Sequence, residues 1–102
     1  MATLIEVVYL DKDNTIDLLL KTDGVAQILS AVTKMILEVG DTEIDSSESP
    51  TAFDWDTGTT GKVVIRAGDQ GLSKGTYHAR LTVIDSSNPN GIVWGDFQIV
   101  VK

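Results

Sequence analysis

The sequence contains no cysteine. The fold must therefore hold without disulfides, and thiolate metal sites and thiol nucleophiles are excluded. Proline occurs twice, at Pro50 and Pro89, and histidine once, at His78. A metal centre or a serine–histidine mechanism needs partners arranged around the imidazole. His78 instead reads as a mid-strand residue on an exposed or interface face beside Arg80 and Thr82. No catalytic residue, metal or cofactor is assigned, and an enzyme is not expected. Positive charge is also sparse: 8 Lys and Arg stand against 15 Asp and Glu, for a net charge of −7. Neutralising a phosphate backbone takes clustered Lys and Arg. The basic residues here form no run, so neither nucleic acid nor an anionic membrane surface is an expected partner. No apolar run approaches the roughly 18 residues of a membrane-spanning helix. The first residues, Met1-Ala2-Thr3-Leu4-Ile5-Glu6, lack a basic stretch and a long apolar core, so a signal peptide is not expected either.

What is present fits a globular chain. Hydrophobic residues are 42% and charged residues 23%, close to the average for packed domains. A length of 102 residues suits one domain over residues 1–102. Thr3 to Leu10 is almost wholly apolar or β-branched and reads as a strand, with burial on both faces suggested. Ile16 to Leu20 is a second strand, closed by Asp23-Gly24, a pair that tolerates positive φ. Residues 24–39 admit two readings. Val25, Ile28, Leu29, Val32, Ile36 and Val39 keep helical spacing, with Gly40 as a stop, whereas a strand from Ala31 to Val39 alternates cleanly. The β-branched content favours the strand. Further strands are expected at Glu43–Asp45, Thr51–Trp55, Lys62–Ala67, Gly75–Asp85 and Ile92–Val101, the last two joined through Asn90-Gly91.

Strands with turn signals about every 8–12 residues argue for an all-β sandwich of about seven strands. The segment Gly75-Thr76-Tyr77-His78-Ala79 narrows this further, because a tyrosine entering a late strand resembles the tyrosine corner of immunoglobulin-like sandwiches. The expected fold is thus an immunoglobulin-like antiparallel β-sandwich. The alternative is an α+β fold with a helix at residues 24–39. Ala79 stands where antibody-type domains carry the strand cysteine, and Ser73 where the corner usually has aspartate.

Over roughly residues 30–102 the chain resembles small immunoglobulin-like domains of tailed-bacteriophage virion proteins, including the N-terminal domain of baseplate upper proteins. The residues that carry this are Gly61-Lys62-Val63, Gly75-Thr76-Tyr77-His78-Ala79, the Asp-rich hairpin, and Phe97-Gln98-Ile99-Val100-Val101. The resemblance implies a structural or assembly role in a virion tail, baseplate or neck. It implies other virion proteins or self-association as partners, and host cytoplasm, then the particle, as location.

Three acidic or aromatic features invite chemistry. Asp11-x-Asp13-x-Thr15-x-Asp17 begins like a calcium loop but has Ile16 and Thr22 where that loop needs glycine and glutamate. Asp54 and Asp56 flank Trp55, and alternation points both outward with Trp55 in the core. Trp55 or Trp94 could alternatively serve a carbohydrate-binding module as a stacking platform. With Phe97, Ile99 and Val101 as core, Trp94 points outward with Ile92 and Val100, onto a face shared by His78, Arg80 and Ile84, and extended by Val32 and Ile36 if they lie on the next strand. That patch is the expected interface, with Tyr77, Gly75 and Phe97 structural. A bulge near Gly95 would instead turn Trp94 inward.

Overall fold

A computed structural model of the protein describes residues 4–102. Among them lie ten strands: β1 (Ile5–Val8), β2 (Ile16–Leu19), β3 (Lys21–Thr22), β4 (Val25–Ala26), β5 (Val32–Val39), β6 (Thr42–Asp45), β7 (Phe53–Trp55), β8 (Lys62–Ile65), β9 (Gly75–Asp85) and β10 (Ile92–Val101). A 3-10 turn at Pro50–Ala52 precedes β7. One sheet has the order β1-β10-β9-β5-β6, and the other β2-β8-β7, with β3 and β4 forming a short hairpin. All pairings are antiparallel except that of β1 with β10. The two orders correspond to G-F-C-C′ and B-E-D of an immunoglobulin sandwich, with β1 added beside the last strand. No helix among the described residues is long and apolar enough to cross a membrane.

The helix at residues 24–39 does not form. Asp23 and Gly24 both take positive φ, +52° and +79°, and close the β3–β4 hairpin. In β5 the side chains then alternate with period two: Met35, Leu37 and Val39 are buried, while Ile36 and Glu38 lie on the other face. The first strand also differs from expectation. It is confined to Ile5–Val8 at a sheet edge, and only Val8 is buried; Thr3 lies outside the described residues. Glu6 pairs in register with Ile99 and so shares its inward face. Partial burial, and then the charge of Asp17, push its carboxyl above the usual range.

The core sits between the sheets. Ile16, Leu20, Met35, Leu37, Ile65, Leu81 and Ile99 are its large, fully buried members. Fully burying one such side chain is worth about 1.5–3 kcal/mol. Leu37 and Leu81 are direct cross-strand neighbours, and Ala79 lies between Val39 and Phe97. The position open to a disulfide in antibody domains is thus packed by hydrocarbon.

Two polar contacts fix the chain where it leaves the strands. The Tyr77 hydroxyl donates to the Ser73 carbonyl at 2.9 Å, closing a tyrosine corner. The Tyr77 ring also covers Gly40, which has φ +57°; a Cβ there would lie 2.9 Å from the ring. One side chain therefore ties the loop before β9 to the β5–β6 turn. The second contact is at Ser46, which is buried. Its N–H donates to the Met35 carbonyl at 3.0 Å, and its Oγ accepts from the Met35 N–H at 3.0 Å. The hydroxyl replaces Ser46's own carbonyl in the ladder. That frees the backbone to turn from the five-stranded sheet toward β7.

Replacing Ser46 by alanine leaves the Met35 N–H buried without an acceptor and should lower the unfolding free energy by about 1–3 kcal/mol. Tyr77→Phe should cost about 1 kcal/mol. Gly40→Ala, which combines strained φ with a ring clash, should cost more than Tyr77→Phe. Urea denaturation of the three variants measures the order.

Candidate interaction face

The face outlined by His78, Arg80, Ile84 and Ile36 exists, but its centre differs from the sequence expectation. Down β10, Phe97 pairs with Ala79, Asp96 with Arg80 and Gly95 with Leu81. The register then shifts: Val93 pairs with Thr82 and Ile92 with Val83, leaving Trp94 as the extra residue of a β-bulge. The bulge reverses the facing of everything before it. Trp94 is half-buried, packs on the core, and lines a cleft of about 150 Å³ with Leu18, Leu20, Leu81 and Phe97. Ile92 moves to the inward side with Val83, at the sheet's end where it remains half exposed. Outward placement of Trp94 and Ile92 is therefore corrected. Val32, on the second irregularity at β5, packs on the core as well.

The outer face is built from cross-strand rows. Ile36, Thr82 and Val93 form a row of β-branched side chains over β5, β9 and β10, apolar at its two ends. Next to it run Glu38, Arg80 and Asp96. On the other side Ile84 neighbours Lys34, whose ammonium lies 3.2 Å from Asp45. Arg80 grips Asp96 through Nε at 2.8 Å and Nη2 at 3.4 Å. His78 Nε2 approaches the same carboxylate at 3.5 Å. The hydrogen bond from Arg80, reinforced by the charges of Arg80 and His78, holds the Asp96 carboxyl below the usual range. The Arg80 guanidinium is correspondingly raised, by Asp96 first and with a contribution from Glu38. Asp45 is held low chiefly by the Ser47 hydroxyl and also by Lys34.

Val93, Glu38, Asp96 and Lys34 were missing from the sequence-derived patch. The one local signal for Val93 is Gly95, since a glycine inside a strand marks a bulge. Of the residues given structural roles, Phe97 is buried in the core, and Gly75 opens β9 beside the Tyr77 hydroxyl.

The acidic features are held by their own turns. Asp56 accepts from the Thr60 hydroxyl at 2.5 Å and its amide at 3.3 Å. The Thr60 hydroxyl is the main cause of its lowered carboxyl pKa. Asp54 shares a face with Val64, while Trp55 pairs with Val63 and packs on the core. Asp54, Trp55, Asp56 and Lys62 line an open cleft of about 340 Å³. Thr15 donates to Asp17 at 2.9 Å. Among the described residues no group of three or more His, Cys, Asp or Glu is placed to hold a metal ion. No protein-family model, curated protein or solved structure matches the chain.

The Asp96 shift gives a pH test. Because its folded pKa is depressed, its stabilising contribution is present above the unfolded value of about 3.9 and is lost as pH falls through the folded value. Arg80→Met should move the Asp96 midpoint upward toward about 3.9. A carboxyl NMR titration of both proteins reads the shift.

Proposed function

We propose that this protein works through protein–protein contact, as a structural or assembly component of a tailed-phage tail, baseplate or neck. The observation that carries the contact reading is the outer-face row Ile36–Thr82–Val93, bordered by the charged row Glu38–Arg80–Asp96 on one side and by Ile84 and Lys34 on the other. A mostly apolar strip with a polar margin matches the core and rim of protein interfaces. Val93 is 51% exposed there, a β-branched side chain turned to solvent. The phage setting rests on the resemblance carried by Gly75-Thr76-Tyr77-His78-Ala79 and the terminal strand. In this reading the chain acts in the host cytoplasm during assembly and then in the particle, and it turns over no substrate.

A second reading, a carbohydrate-binding module, draws on the open cleft at Trp55, where Asp54, Asp56 and Lys62 supply polar groups. It predicts saccharide binding that Trp55→Ala abolishes. Trp94, packed on the core, is a poorer platform.

Deleting the gene from the phage or prophage that encodes it should give incomplete particles by electron microscopy. Complementation with wild type should restore them, and Val93→Glu, folded by circular dichroism, should not. Normal particles from the deletion would sink the phage reading. Full rescue by Val93→Glu would remove this face from it.

A further inference from the structure

The second sheet has an open edge with an unusual charge pattern. β2 (Ile16–Leu19), in the second sheet, is joined through Leu20 to β3 (Lys21–Thr22), in the short β3–β4 hairpin. On one side these residues are paired, first with β8 and then with β4. Leu20 marks the transition: its N–H donates to Gly61 and its carbonyl accepts from Gln27, both at 2.8 Å. Along an antiparallel strand the hydrogen-bonding groups alternate sides. Asp17, Leu19 and Lys21 therefore direct their N–H and C=O groups to the opposite side, where no strand among the described residues pairs with them. Their side chains are all exposed, and Leu19 is 59% exposed.

We propose that this edge pairs with the same edge of a second copy, antiparallel, about a two-fold axis at Leu19. That register sets Leu19 against Leu19 of the second copy, and Asp17 against Lys21 in both directions. Among the described residues nothing hydrogen-bonds the backbone groups of these three on that side, which is the side the reciprocal bonds of a narrow pair require. The two opposite-charge contacts are cross-strand neighbours on the solvent face. Leu18 and Leu20, on the inward face, fall opposite each other across the axis. The apolar cleft lined by Leu4, Leu18, Leu20 and Trp94 opens beside this edge. A closed two-fold contact of this kind is isologous and limits assembly to a dimer.

The remaining edges do not offer this. β7 has three residues, and a two-fold there opposes Asp54 to itself. β6 carries Glu43 and Asp45, of one sign, along four residues. β1 points the Glu6 carboxyl inward, a feature that blocks edge pairing. Among the β1, β2–β3, β6 and β7 edges of the described residues, β2–β3 alone places opposite charges symmetrically about an apolar residue.

The inference deepens the contact reading by naming one partner, yet it uses a different surface from the Ile36–Val93 row. Sedimentation velocity across a concentration series, extended to about 1 mM so that weak dimers register, should show dimer for wild type. Lys21→Asp and Asp17→Lys should each weaken the dimer about tenfold by opposing like charges. The double variant Asp17→Lys/Lys21→Asp restores the complementarity and should return within about threefold of wild type. The Leu19 amide should exchange more slowly as concentration rises. Val93→Glu should leave self-association unchanged, so failure here is separable from failure of the particle experiment. A monomer at every concentration overturns the proposal, as does a double variant no better than the singles.

Discussion

One extra residue in β10 decides which side chains of the five-stranded sheet meet solvent. A strand has period two, so a one-residue slip exchanges its faces. Trp94 is that residue, set between Val93, paired with Thr82, and Gly95, paired with Leu81. Beyond it, Phe97, Ile99 and Val101 are held in the core. Before it, Val93 is turned out and Ile92 in. The bulge thus does two things together. It packs Trp94 against the core beside the cleft of Leu18 and Leu20, and it supplies Val93 as the third member of the outer row. Without it, Trp94 would pair with Thr82 and stand in solvent as the outer member of that row.

The bulge is tolerable because the strands beside it are pinned elsewhere. β9 is anchored at its start by the Tyr77 hydroxyl on Ser73 and by the ring over Gly40. β5 is anchored on its far side by the double contact between Met35 and Ser46. These are short-range constraints on backbone exits, where orphaned amides would be costly. They matter more in a chain without cysteine, because no cross-link joins the two sheets. Hydrocarbon packing around Leu37, Ala79 and Leu81 does so instead. A disulfide constrains the unfolded chain as well as the folded one. Packing and hydrogen bonds act on the folded state, so they must fit closely.

Much of the architecture was legible because it rests on alternation and turn chemistry. Tyr77, Ala79, Leu81 and Val83 share a face in sequence and in structure, and the corner hydroxyl finds its carbonyl. Asp23-Gly24 turns as its positive φ tolerance suggested. The strand at residues 32–39 was legible as one of two readings, since isolated periodicity over fifteen residues fits either element until pairing with β9 and β6 selects one. The facing of Trp94 was not legible. Alternation propagated backward from Phe97 gives an outward tryptophan, and nothing in the local sequence except Gly95 weighs against it. The energetic reason lies across the sandwich, in Leu18 and Leu20, which come from a distant part of the chain. Long-range burial outweighs a regular ladder when a large aromatic is at stake.

The edges of the two sheets follow the same logic of local sequence read against distant context. An exposed strand edge offers unpaired amides and carbonyls to any passing chain, and soluble proteins blunt such edges with charge, brevity or irregularity. β6 and β7 are short and acidic, and β1 turns a carboxylate inward. Blunting by like charge works against a second copy because it repels itself. The β2–β3 edge departs from that rule: its two charges differ in sign and stand equally far from Leu19. Such an edge repels neither an acidic nor a basic strand as a class, yet it is complementary to itself in one register. Slipping that register by two residues removes both Asp17–Lys21 contacts, and slipping by one turns Leu18 and Leu20 against the partner's outward face. The pattern therefore selects among pairings rather than promoting pairing in general. That selectivity separates an assembly surface from an aggregation hazard.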